Sequence, residues 1–215
     1  MYKRIALLLG GGLTATSLSL GANAVLATSA QTWTVSPGGI VKATGTGTSG
    51  SLQDGSTGTT LTCTSTAGQG TVKSGSGLAG QNIGMFTSIT FSGCTGPAGL
   101  TFTVKTSASK AKAADQSAKS YNASTGVTKE TITHISATIT GPSCSATVNG
   151  TSPTGNNGMV AGSYSNKTQI STISSSGGNL HIYNVQGCLG LINNGDPAVF
   201  TSSYKVSPGL IITSP

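Results

Sequence analysis

Two histidines, His134 and His181, and four acids, Asp54, Asp115, Glu130 and Asp196, supply all the imidazole and carboxylate groups of this 215-residue chain. A serine hydrolase needs an exposed nucleophile, a histidine base and an acid that orients it. No G-x-S-x-G elbow occurs, and each histidine stands in a strand-like context, Thr-His-Ile and Leu-His-Ile. Asp196 is the one acid placed to orient His181, and the competing reading makes it a turn former before Pro197. A carboxylate pair for glycoside hydrolysis would have to come from three loop-like aspartates and Glu130 on a strand face. The inventory therefore points to a non-catalytic protein, with no catalytic, cofactor-binding or metal residues assigned and no cofactor expected.

The cysteines carry more information. Cys63, Cys94, Cys144 and Cys188 form no CxxC and no His-linked metal spacing. They follow a start, Met-Tyr-Lys-Arg, an apolar run from Ile5 to about Leu20, and small exit residues at Ala22-Asn23-Ala24 or Thr28-Ser29-Ala30. That order is the layout of a secretory signal peptide, expected to cover residues 1–24, with cleavage as late as 30. The apolar stretch is short for a membrane span and holds three consecutive glycines, so no transmembrane segment is expected in the mature chain. Export to an oxidising compartment makes two disulfides the natural use of four cysteines. A faint duplication chooses the pairing. Phe91-Ser-Gly-Cys-Thr-Gly96 echoes Val185-Gln-Gly-Cys-Leu-Gly190, and each has a cysteine upstream, giving Cys63–Cys94 and Cys144–Cys188.

Glycine numbers 32 and only 7% of residues are charged, with serine and threonine abundant. Low charge with recurring apolar runs argues for a folded domain. Once the signal leaves, nine lysines face four acids and no arginine remains, a net charge of +5. That is a poor endowment for nucleic acid, where guanidinium groups dominate base readout. Lys105, Lys110, Lys112, Lys119 and Lys129 fall in one stretch and offer contact to an anionic envelope polymer or lipid head groups. The alternative is a solvated loop with lysines that protect strand edges.

The elements that must position these residues are strands. Period-two alternation and β-branched enrichment predict about ten, between Trp33 and Val206, with Gly/Ser/Asn turns such as Asn193-Asn-Gly-Asp-Pro197 between them. The longest runs from Val127 to Thr140, with Thr133, Ile135, Ala137 and Ile139 on one face. Ser107 to Lys119, rich in Ala and Lys, reads as either a helix or a mobile loop. The expected fold is all-β, an antiparallel β-sandwich or β-barrel with two disulfides, as a single domain over 31–215 or two pseudo-repeats split near 106–126. Two matches to G-x-G-x-x-G, at Gly45–Gly50 and Gly75–Gly80, lack the following helix that phosphate binding needs.

The signal, Trp-Thr-Val-Ser-Pro-Gly-Gly near the mature start, Leu-Thr-Cys, Phe-Ser-Gly-Cys-Thr-Gly-Pro and Tyr-Asn-Ala-Ser-Thr-Gly-Val-Thr together resemble small exported β-proteins of high-GC Gram-positive bacteria, the actinobacteria. The resemblance implies an extracellular location, free or at the cell surface, and carries no activity or site residues. Two functions remain in view. One is a binder of a small apolar ligand or envelope component. The other is a structural surface subunit, in which an edge strand such as Gln169–Ile173 pairs with a neighbour.

Overall fold

A computed structural model describes residues 31–47, 50–108, 113–174 and 176–215. The expected signal peptide, Lys110 and Lys112 lie outside them. The described residues contain no α-helix and sixteen strands: β1 (Thr32–Ser36), β2 (Gly39–Gly45), β3 (Gly50–Asp54), β4 (Thr60–Val72), β5 (Gly75–Ala79), β6 (Gly84–Thr95), β7 (Thr101–Thr106), β8 (Ala114–Asn122), β9 (Val127–Ile135), β10 (Ala137–Thr140), β11 (Ser145–Asn149), β12 (Gly158–Ser165), β13 (Ile170–Ile173), β14 (His181–Gln186), β15 (Ala198–Ser207) and β16 (Ile211–Thr213).

Thirteen of these strands form one closed wall, because β4 pairs with β6 as well as with β2 and β3. The wall has eight staves, visited in chain order. Three staves are single long strands, β4, β6 and β15. The other five are two strands laid end to end: β2 with β3, β7 with β8, β9 with β10, β11 with β12, and β13 with β14. In the first stave β2 and β3 both run antiparallel to β4 on one side and to β15 on the other. The chain leaves the wall between such halves and re-enters it. At 150–157 the base of the excursion is clipped by Asn149 Oδ1, which accepts from the amides of Gly150 at 2.9 Å and Asn157 at 3.0 Å. β14 closes on the start of β15 through the His181–Pro197 bridge and the Ala198 N to Leu180 O hydrogen bond of 2.8 Å.

The fold is thus a closed antiparallel up-and-down barrel, and the sandwich alternative falls away. Fewer strands were expected because β3 and β5 hold one large apolar residue each, and β8 overlaps the Ser107–Lys119 stretch that reads as helix or mobile loop. Ala114, Gln116 and Ala118 alternate inward along β8, so cross-strand pairing with β9 overrides the helical preference of alanine. The expected strand from Val127 to Thr140 breaks at Ser136.

A small sheet of β16, β1 and β5 closes one end. Its inner residues, Trp33, Val35 and Ile212, form a buried cluster with Val41, Val72, Tyr164 and Leu210. Two side chains stitch this floor to the end of β12. Tyr164 Oη donates to Leu210 O and accepts from Leu210 N, both at 2.9 Å. The Asn166 amide does the same to Ile212, at 2.8 and 2.9 Å.

The opposite rim carries both disulfides, Cys63–Cys94 and Cys144–Cys188, in the pairing expected from the duplication. The first bridges directly opposed residues of β4 and β6. Cys94 is therefore a strand residue, whereas its counterpart Cys188 follows β14 in a loop.

Candidate functional site

The inward residues of a period-two wall meet on the barrel axis, and here they are overwhelmingly apolar. They enclose a cavity of about 120 Å³. Phe86, Ile89 and Phe91 come from β6, Ile132 and Ile135 from β9, and Phe200, Tyr204 and Val206 from β15. Phe91 and Phe200 meet edge to face, ring centres 5.7 Å apart and planes at 86°. Leu210 and Ile212 form the floor, and Leu52, Leu61 and Cys63 the upper wall. A smaller void of about 50 Å³ lies at the disulfide rim, lined by Pro97, Phe102, Ile182, Leu191 and Ile192 among others. The two voids share Leu52, Leu61 and Ile139, so they adjoin at those side chains.

The outer face has the opposite character. Lys42, Thr44, Thr64, Gln69, Thr71, Thr90, Thr103 and Lys105 are exposed on it. A barrel that spans a membrane needs an apolar outer band about 25 Å tall, and this wall is built the other way round. Among the described residues no helix is long and apolar enough to cross a membrane.

Glu130 is the one acid inside the barrel. It is 3% exposed and shares the inward face of β9 with Thr128 and Ile132. Gln116 Nε2 on β8 donates to one carboxyl oxygen, and Ser171 Oγ on β13 to the other. Burial pushes the Glu130 carboxyl above its ordinary 4.5, and the two hydrogen bonds only partly offset this. Burial likewise raises the Tyr164 phenol, with the hydrogen bond to Leu210 opposing and the nearby Glu130 adding to the shift. Tyr204 is raised by burial, against hydrogen bonds from Ser202 and Thr66. Gln116, Ser171, Tyr164 and Tyr204 all line the cavity. Sequence reasoning placed Glu130 on a strand face without saying which. Its shared parity with Ile132 was the available signal.

The other candidate groups do not converge on a catalytic arrangement. His181 Nδ1 bonds Asn179 O at 2.9 Å and its ring lies beside Tyr183, with centres 6.2 Å apart. The Asp196 carboxylate turns instead to the amide and side chain of Asn193, at 3.0 and 3.1 Å. Some desolvation of Asp196 opposes the shift, but hydrogen bonds with Asn193, Ser56 and Asp54 hold it below its ordinary 3.8. Asp54 and Asp196 are therefore neighbours at the mouth. Asp54 Oδ1 accepts the Ser56 and Thr57 amides at 2.8 Å, shaping the β3–β4 turn. Gly55 N and Thr57 Oγ1 reach across from that turn to Pro197 O and Leu191 O, both at 2.7 Å, so the pair belongs to a latch between two rim loops. Asp115 lies on β8, not in a loop, and pairs with His134 at 3.0 Å on the outer wall. No group of three or more potential metal ligands occurs among the described residues. Lys119 and Lys129 are exposed on neighbouring strands, with Ser120 directly opposite Lys129. Lys105 is exposed on β7, in the other half of the stave that holds Lys119.

No family model matches the chain, and neither the curated proteins nor the solved structures give a significant match. The functional reading rests on the cavity itself.

Proposed function

We propose that this is an exported, non-catalytic carrier whose barrel binds one small apolar molecule. The observation that carries the reading is the apolar, aromatic-lined cavity of about 120 Å³ inside the barrel. Apolar voids of about 150 Å³ in protein interiors stay dry and take up a single aromatic ring, so the ligand class is one ring or its aliphatic equivalent. The mouth at the disulfide rim is the entry, since the floor sheet is sealed by Trp33 and the Tyr164 and Asn166 hydrogen bonds. Two disulfides suit an oxidising, extracellular setting. Edge-paired surface assembly has less support, because β13, the strand it would use, pairs with β12 and β15 on both sides.

The test is mass spectrometry of the exported protein, native and then denatured, beside a cavity-filling variant. Gly68 lines the cavity, and a side chain there would point at Phe86 and Ala43 at ordinary contact distances of 3.4 and 3.6 Å. Gly68→Leu should fold and fill the space. A discrete small mass lost on denaturation from the native sequence and missing from Gly68→Leu is the expected result. No bound mass, and no uptake of added benzene by the native sequence, would remove the proposal.

A further inference from the structure

The apolar cavity has one polar corner, and its hydrogen-bonding capacity is unevenly spent. Glu130 lies behind Gln116 and Ser171, which both line the cavity. The Gln116 amide is oriented by two neighbours. Its Nε2 is drawn to Glu130, while its Oε1 lies over Gly84, where a β-carbon would come within 2.5 Å. Only a glycine opposite Gln116 in the β6–β8 register leaves that room. The amide is thereby fixed with its nitrogen toward the acid, and the group it offers to the cavity is a carbonyl oxygen. A buried acceptor facing an apolar space is costly unless a donor meets it.

We infer that the ligand is a small apolar molecule bearing one O–H or N–H donor, received by Gln116 Oε1. The inference rests on the cavity being a binding site. Glu130 acts as a positioning residue: it touches no ligand, and holds Gln116 and Ser171 at the two ends of its carboxyl group. Tyr204, the cross-strand partner of Ser171, also lines the cavity, with its hydroxyl engaged by Ser202 and Thr66.

Three probes of one-ring size separate the possibilities by calorimetric titration of the exported protein. Phenol carries a donor, anisole an oxygen without a donor, and toluene neither. Phenol should bind tightest, and Gln116→Met should invert the phenol-to-toluene preference by about tenfold or more, because the hydroxyl would then be buried unpaired. Toluene binding as well as phenol, or anisole matching phenol, in the native sequence would overturn the donor inference while leaving the carrier reading in place. Failure of all three to bind would overturn both. The comparison within the native sequence decides the matter even if Gln116→Met does not fold.

Discussion

Glu130 on β9 stands directly opposite Gly162 on β12, and the carboxyl reaches past this glycine to Ser171 on β13. A residue with a side chain at that register position would lie between acid and hydroxyl. The space behind is also closed, since a β-carbon on Gly162 would run into Thr172 O and approach Ile173. Gly162→Ala should therefore cost about 1–3 kcal/mol, the usual range for forcing extra volume into a packed interior. Urea denaturation measures this directly, and an unchanged midpoint would show that the wall yields more easily than its geometry suggests.

The buried acid fixes the sign of a pH dependence. The folded protein holds the Glu130 proton to higher pH than the unfolded chain, whose carboxyl titrates near 4.5. Its contribution to stability is therefore complete below about pH 4.5 and declines as pH rises through the folded-state value. The slope is at most about 1.4 kcal/mol per pH unit for one proton. Thermal or urea unfolding of native and Glu130→Gln proteins across the weakly acidic to neutral range should show this decline only in the native sequence. Tyr164, the titratable neighbour, is raised above its ordinary 10.0 and stays neutral throughout.

Tyr164→Phe removes a hydroxyl that satisfies both the amide and the carbonyl of Leu210 in the buried floor. Leaving such groups unpaired costs about 1–3 kcal/mol. Amide hydrogen exchange should locate the loss in β16 and the adjoining β1, with the disulfide rim unaffected. Uniform loss of protection over the whole wall would show that floor and barrel unfold as one unit.

The disulfides close sequence separations of 31 and 44 residues. Each should contribute about 3–4 kcal/mol on chain-entropy grounds. Replacing Cys144 and Cys188 together by serine should lower the urea midpoint accordingly and speed ligand exchange through the mouth. Unchanged exchange would place the entry elsewhere.

The cysteine pairing was legible because the Gly-Cys echo survives as local sequence, and most wall strands were legible because their alternation is strong. Closure was not. It depends on the length of β4 and β6, which pair along Thr62–Val72 and Gly84–Thr95, through segments such as Ala67-Gly-Gln-Gly70 whose glycines carry no pattern. Of the face expected in the Val127–Thr140 segment, Ile135, Ala137 and Ile139 do line the cavity. A register shift within β9, where Ile132 pairs with Val160 and Ile135 with Gly158, lets these two residues of opposite parity both reach the cavity. Glu130 shares the face of Ile132, so the same irregularity hid the polar corner.

The end-to-end staves also decide where the chain can be lengthened. In most barrels of this kind loops emerge at the rims, but here 150–157 leaves the wall between the two strands of one stave, β11 and β12, part-way along the barrel. Foreign peptides grafted at 150–157, where Asn149 already holds the two ends of the excursion together, would be displayed from the barrel's waist. Both the mouth and the floor would remain free of the insertion.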